Sequence, residues 1–172
     1  AYSDTLVEAD FSSIPDQNLD GMAWVKSVPD PRRFGVAEVG ADNMIKRLVE
    51  KPESMDNNLV LVGCYYFRSG EALVNAIQEQ FRRDVQLKGE YFLVDAINIL
   101  LEEKARMRAQ PVGVWLDTGT ITATLETNRY LLEHGRENAA SHAGEDVKII
   151  RPVFIHPTAT VSDSTIGPHV SI

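Results

Sequence analysis

Hydrophobic and polar residues alternate along the first 135 residues with two different periods. Apolar runs that are continuous or repeat every second residue predict strands, and apolar residues three or four positions apart predict helices. The predicted strands are residues 21–28, two hairpin arms around a turn at 40–43, residues 58–67 and residues 106–117. The predicted helices are residues 69–82, 90–105 and 120–135, with Ser69 as the first N-cap and Gly135 as the last C-terminal cap. Alternating strands and helices predict an α/β sheet covered by helices.

The pattern changes after a polar linker that we place at residues 136–150. In residues 151–172, Ile or Val recurs at positions 155, 161, 166 and 172, with spacings of six, five and six. This is close to the hexapeptide period of a left-handed parallel β-helix, although a β-rich tail can show the same spacing by chance. A β-helix with only these coils would not be stable by itself. We therefore expect more coils to follow. Such tails often pack against each other, so a homo-oligomer fits the sequence, which leaves the oligomeric state open.

Composition and charge narrow the classes of function. The chain has 172 residues, 44% of them hydrophobic, and a formal net charge of -8. This charge argues against a nucleic-acid surface, because phosphate backbones bind clustered Lys and Arg. The sequence has no apolar run long enough for a membrane span. Its single cysteine, Cys64, falls in a predicted buried strand and cannot form an internal disulfide, so we expect a core thiol and a reducing, cytoplasmic compartment.

Asp117 is the first candidate for chemistry, because it comes where the predicted strand 106–117 ends. Ligands of open α/β sheets bind at the carboxyl ends of strands, where Asp117 would contact a ligand. The small residues at 118–120 would leave room beside it. The alternative is that the Asp117 carboxylate only caps the following helix. The sequence leaves both interpretations open.

Three other polar sites resemble Asp117 in lying at the end of a strand or the start of a helix. They are Asp4, the pair Glu50-Lys51 followed by Pro52, and the segment Lys88-Gly89-Glu90. Each alone is typical of a solvated surface. Together they would supply two carboxylates for a hard cation such as Mg²⁺ and two ammonium groups for phosphate.

Five motifs occur here in the order that the sugar-phosphate nucleotidyltransferase family shows in its second half. They are RFGV, VEKP, LVGCYYF, KGEYFLVD and WLDTGT. Between residues 4 and about 132 the chain resembles this family, and within it the glucose-1-phosphate thymidylyltransferases with a β-helix tail. The resemblance implies a mixed-sheet Rossmann-like nucleotidyltransferase domain that is incomplete at its N-terminus. The implied domains are residues 1–135, a linker at 136–150, and the first coils of a left-handed β-helix at 151–172.

The resemblance also implies an activity and a set of residues. The family transfers a nucleotidyl group from a nucleoside triphosphate to a sugar 1-phosphate, here glucose 1-phosphate, and releases pyrophosphate with Mg²⁺ as cofactor. By this match, Asp4 and Asp117 are the Mg²⁺ ligands, and Lys51 and Asp117 are the catalytic residues. Lys51 also binds the sugar phosphate. The other implied substrate-binding residues are Gly35, Glu50, Leu61, Gly63, Tyr65 and Lys88, the last standing where many relatives have an arginine.

The glycine-rich GxGxRL loop that holds the triphosphate in this family does not occur in the sequence. We therefore expect an incomplete chain that is inactive alone. One alternative is a non-catalytic sugar-phosphate-binding or regulatory module. Another, suggested by the tail, is a β-helix acyltransferase, but His156 and His169 both lie beside prolines in turn-like contexts and are poor catalytic candidates.

Overall fold

A five-stranded mixed sheet forms the centre of the first of two units into which the chain divides, Ala1–Trp115 and Leu116–Ile172. A computed structural model describes residues 1–12, 14, 18–138 and 146–172. The strands of the first unit are β1 (Thr5–Glu8), β2 (Gly21–Ser27), β3 (Gly35–Val39), β4 (Ile45–Glu50), β5 (Leu59–Phe67) and β6 (Met107–Pro111). Its helices are α1 (Gly70–Arg83) and α2 (Leu93–Glu102). Strand β7 (Val114–Asp117) crosses the division.

The sheet has the order β4-β3-β5-β2-β6. Strand β2 pairs antiparallel with β5 and parallel with β6, and β3 and β4 form the predicted hairpin. These pairings confirm a mixed α/β fold. The predictions for β2, the hairpin, β5 and α1 are confirmed, and the Ser69 hydroxyl caps α1 by accepting a hydrogen bond from the Ala72 amide at 3.1 Å.

Two predicted elements are wrong in extent. The predicted strand 106–117 is two strands, because β6 pairs with β2 as far as Pro111 whereas β7 belongs to a separate sheet. The predicted helix 90–105 begins only at Leu93, because Phe92 is extended, with φ −107° and ψ 142°.

Side chains of β5 alternate between two hydrophobic cores, as a strand buried on both faces requires. Leu61 packs on one face with Val94 and Ile97 of α2. Val62 and Cys64 pack on the other face with Trp24 of β2. The expected core position of the Cys64 thiol is confirmed, and burial raises the pKa of this thiol.

The second unit contains α3 (Ile121–Leu131), a π-helical turn (Leu132–Arg136) and four short strands. Gly135 has φ +88°, so the predicted left-handed glycine at the end of the helix is confirmed. The strands are β8 (Lys148–Ile149), β9 (Val153–Phe154), β10 (Thr165–Ile166) and β11 (Val170–Ser171).

These four strands form two parallel pairs, β8 with β10 and β9 with β11. In both pairs the register joins residues 17 positions apart, as in Ile166 with Ile149 and Val170 with Val153. Ile155 and Ile166 are buried, as the tail pattern predicts, whereas Ile172 is 46% exposed. The β-helix itself stays a prediction. Residues 139–145 of the predicted linker lie outside the described residues.

In the described part of the chain, no helix has both the length and the apolar character that crossing a membrane requires.

Candidate functional site

The end of the β3–β4 hairpin brings three of the predicted substrate-binding residues together. Gly35 pairs with Glu50 across the two strands. A Cβ atom added at Gly35 would lie 2.9 Å from Glu50 Oε2, 3.0 Å from Leu61 Cδ1 and 3.1 Å from Val94 Cγ2. Only a glycine, which has no Cβ atom, leaves room for these three side chains to pack against the backbone of residue 35. Gly35, Glu50 and Leu61 therefore form one surface in the first unit.

The Glu50 carboxylate is half-buried, and its environment opposes ionisation. Burial raises the pKa of Glu50, and the negative charge of Asp95 raises it further, while the Lys51 ammonium lowers it. Burial also raises the pKa of Asp95. A half-buried carboxylate is well suited to accept hydrogen bonds from hydroxyl groups of a ligand.

Lys51 leaves the strand in a left-handed conformation, with φ +45°. Its amide donates a hydrogen bond to the Phe34 carbonyl at 3.0 Å, which holds this reversal in place. Its Nζ atom lies 4.5 Å from the centroid of the Phe92 ring and 3.9 Å from Glu90 Oε2. The side chain is 45% exposed, so the ammonium is still open to a ligand.

Gly63 lies at an irregular point of β5, where the register with β2 moves from Ala23–Tyr65 to Val25–Leu61. Strand β5 therefore advances four residues while β2 advances two. Gly63 has φ +77°, and a Cβ atom there would lie 2.4 Å from Tyr2 Cδ2. The backbone needs a glycine here for both reasons.

Tyr2 and Tyr65 form the aromatic part of the surface. The Tyr2 amide donates a hydrogen bond to the Gly63 carbonyl at 3.0 Å, and the two tyrosine rings meet edge to face with centroids 6.4 Å apart. Burial, followed by the charge of Glu50, raises the pKa of Tyr2. Burial is also the largest cause that raises the pKa of Tyr65, so both phenols stay protonated near neutral pH.

Lys88 is exposed at the tip of a tight turn. Lys88 and Gly89 both have positive φ, 53° and 82°, and Leu87 and Glu90 exchange two backbone hydrogen bonds of 3.0 and 3.1 Å. Positive φ at both central residues is the pattern of a type I′ turn. The turn places Glu90 beside Lys51, a contact that the sequence pattern did not indicate.

Asp117 belongs to the second unit and does not cap the helix that follows. The Thr120 hydroxyl caps α3, accepting a hydrogen bond from the Ala123 amide at 3.2 Å. The Asp117 carboxylate instead accepts a hydrogen bond from the Gly119 amide at 2.8 Å through Oδ1. Its carbonyl accepts a hydrogen bond from the Thr127 hydroxyl at 2.9 Å. Local contacts thus fix the half-buried Asp117 side chain while it uses one carboxylate oxygen.

Asp4 belongs to the first unit, where it is exposed and directly precedes β1. It therefore comes before a strand rather than at the end of one. The Thr5 hydroxyl lies 3.5 Å from its Oδ1 atom. Among the residues that the structure describes, no three or more His, Cys, Asp or Glu side chains cluster as a metal site.

The family model named Nucleotidyl transferase matches residues 5–134. The chain is 33% identical over 159 residues to glucose-1-phosphate thymidylyltransferase of Streptomyces griseus, covering 91% of this chain and 42% of the relative. It is 34% identical over 146 residues to the Streptomyces antibioticus protein of the same name, covering 83% of this chain and 39% of the relative. The chain thus spans about two fifths of the length of these relatives.

A crystal structure from Bacillus anthracis, described as a putative glucose-1-phosphate thymidylyltransferase in complex with a sucrose, has the same fold, with a TM-score of 0.60 and 24% sequence identity. The match covers 74% of this chain and 51% of that one. The family model spans most of the chain and includes Glu50, Lys51 and Asp117. On this evidence the chain belongs to the nucleotidyl transferase family.

Proposed function

We propose that this chain is the sugar-phosphate-binding part of an enzyme that makes a nucleotide-sugar from a nucleoside triphosphate and glucose 1-phosphate. The observation that carries the proposal is the adjacent pair Glu50 and Lys51. The carboxylate is half-buried against Gly35 and Leu61, and the left-handed backbone turns the next side chain, an ammonium, toward Phe92. A sugar 1-phosphate needs these two chemistries side by side, an acceptor for hydroxyls and a cation for phosphate.

In the proposed reaction, an oxygen of the sugar phosphate attacks the α-phosphorus of the triphosphate. A new P–O bond forms there, the bond from the α-phosphorus to the bridging oxygen breaks, and pyrophosphate leaves with the bond electrons. Such transfers depend on alignment and charge stabilisation more than on covalent help. Lys51 would hold the attacking phosphate, and Glu50 would orient the sugar. Tyr65 and the backbone of Gly63 would form the wall of the sugar site.

Asp4 and Asp117 are each proposed as a Mg²⁺ ligand. Mg²⁺ prefers carboxylate oxygens and takes one or two from the protein, completing its octahedron with water and phosphate. Asp117 fits this role, because the Gly119 amide fixes its orientation through Oδ1 and leaves Oδ2 for a cation. When bound, the ion would neutralise charge that develops on the α-phosphate.

Isothermal titration with glucose 1-phosphate tests the proposal. We expect saturable binding that weakens about tenfold or more in Lys51→Asn, since a charge-assisted bond to phosphate is lost. Asparagine is the best replacement because it tolerates a left-handed backbone.

Lys104→Asn is the matched control, since Lys104 is also an exposed lysine with positive φ, 72°. It makes the same change to charge and backbone away from Glu50, so its affinity should equal that of the wild type. Equal affinity of Lys51→Asn and the wild type would contradict the proposal.

A further inference from the structure

The Lys51 ammonium lies where two segments of the first unit meet, the end of β4 and the start of α2. From the second segment, the Phe92 ring presents its face at 4.5 Å and Glu90 its carboxylate at 3.9 Å. The ring distance is within the range of a cation–π interaction. The Glu90 distance exceeds a hydrogen bond, so this carboxylate acts on the ammonium through charge alone.

Both segments break a local rule of backbone structure at this point. Lys51 adopts φ +45°, which a side chain with a Cβ atom disfavours. Phe92 occupies the N-cap of α2 and makes no side-chain capping bond, although Ser, Thr, Asp or Asn would cap the helix better. Departures of this kind concentrate at functional sites, and here both serve the same contact.

Hydrogen bonds from the buried Gln80 side chain and from the Asp95 amide fix the backbone of Phe92. Its carbonyl accepts a hydrogen bond from Gln80 Nε2 at 3.0 Å and another from the Asp95 amide at 3.1 Å. Gln80 is 2% exposed, and its second amide contact, 3.3 Å to the Val85 carbonyl, ties α1 to the same place. The ring itself packs against the core that contains Val94 and Ile97, so the fold holds it without a ligand.

We propose that Phe92 is a positioning residue that holds the Lys51 ammonium in place for the phosphate of a sugar 1-phosphate. The inference rests on the proposed function, which assigns Lys51 to that phosphate. An aromatic face attracts a cation without carrying a negative charge, so the ammonium keeps its N–H donors for the incoming dianion. A carboxylate in direct contact would instead compete with the phosphate for the same donors.

The test combines a spectroscopic signature with binding. In the NMR spectrum of the 172-residue chain, the ring current of Phe92 should shift the Lys51 ε-methylene protons upfield. Phe92→Leu should abolish this shift and weaken glucose 1-phosphate binding about two- to fivefold, the range that cation–π interactions span at exposed sites. Phe92→Tyr keeps an aromatic face and should keep both the upfield shift and the affinity.

Phe81→Leu is the matched control. It makes the same substitution on an exposed α1 ring that packs edge to face on Tyr91, with centroids 4.6 Å apart. This variant should bind glucose 1-phosphate as the wild type does.

An absent upfield shift in the wild type, or equal binding by Phe92→Leu and the wild type, would overturn the positioning role and leave the proposed function standing. A wild-type chain that shows the upfield shift but does not bind glucose 1-phosphate would overturn the proposed function instead.

Discussion

At the scale of single residues, the half-buried Glu50 couples the site to pH. Its pKa is raised in the folded chain, chiefly by burial, so between its ordinary value and the raised value the folded state binds more protons than the unfolded state. The free energy of unfolding therefore falls as pH rises through this window. The proposed function uses the ionised carboxylate as a hydrogen-bond acceptor, and this is the form of Glu50 that lowers the free energy of unfolding.

Glu50→Gln should remove this contribution. Urea unfolding at a series of pH values from about 4 to 8 should show a smaller fall in the free energy of unfolding for the variant than for the wild type. Glu53→Gln is the control, because Glu53 is exposed in the following loop and should keep the wild-type slope. Parallel curves for Glu50→Gln and the wild type would show that burial of Glu50 does not penalise its charge.

The sequence indicates the residues of the site that lie in short motifs but not the residues that support them. Gly35, Glu50 and Leu61 are predicted and do meet. Phe92 falls inside the predicted helix 90–105, where an apolar residue has an ordinary explanation in core packing. Phe92 and Lys51 are 41 positions apart in the sequence. Their contact depends on the positive φ of Lys51 and on the turn at Lys88-Gly89 that precedes Phe92. Neither is encoded in hydrophobic periodicity.

At the scale of secondary-structure elements, one side chain joins α2 to the edge strand β4. The Leu48 amide donates a hydrogen bond to Asn98 Oδ1 at 2.8 Å, and Asn98 Nδ2 donates one to the Leu48 carbonyl at 2.9 Å. The amide side chain thus pairs with the strand backbone as a neighbouring strand would. This contact protects part of the strand edge and fixes the helix that carries Phe92 at its N-cap.

Asn98→Ala should lower the free energy of unfolding by about 1–3 kcal/mol, because two part-buried backbone groups lose their partner. Asn75→Ala is the control at an exposed position of α1, where alanine should be neutral or slightly stabilising. Denaturant unfolding of both variants measures the difference. A loss for Asn98→Ala no larger than that for Asn75→Ala would show that the paired amide contributes nothing to stability.

Element boundaries were the weaker part of the sequence-based prediction, for local reasons. The apolar residues that recur between positions 107 and 116 predict one strand, yet β6 ends at Pro111 and β7 belongs to a separate sheet. In the segment before α2, the glycine turn at 89 and the extended Phe92 outweigh the helical period. Single residues with special backbone geometry override a periodic pattern that covers the residues around them.

At the scale of the whole molecule, the two units are built on different principles. In the first unit α2 packs on one face of a mixed sheet, whereas the strands of the second repeat after 17 residues in parallel register. Asn138 meets one edge of the repeat, where its side chain exchanges hydrogen bonds with the Ile155 backbone at 2.7 and 2.9 Å. The spacings of six, five and six residues in the tail add up to 17. This is also the separation between paired residues in the two parallel strand pairs.

The stability of the second unit depends on the small core inside this turn. Ile155 is fully buried there with Val153 and Ile166. Ile155→Ala should therefore lower the free energy of unfolding of this unit by about 2–5 kcal/mol through lost burial and the cavity left behind. Native-state hydrogen exchange resolves the unit directly, because the Ile150 and Ile172 amides donate hydrogen bonds within the parallel pairs, at 2.8 and 2.9 Å.

Ile121→Ala provides the matched control, the same substitution in the same unit at a side chain that is 83% exposed. The opening free energies calculated from its protection factors should lie within about 0.5 kcal/mol of the wild-type values, as is usual for surface substitutions. Amides of β2 and β5 serve as an internal reference in the first unit. In the contrary outcome, the Ile150 and Ile172 amides of Ile155→Ala are as well protected from hydrogen exchange as those of Ile121→Ala. Backbone pairing alone would then stabilise the tail. The buried apolar stripe would then have no part in specifying the turn.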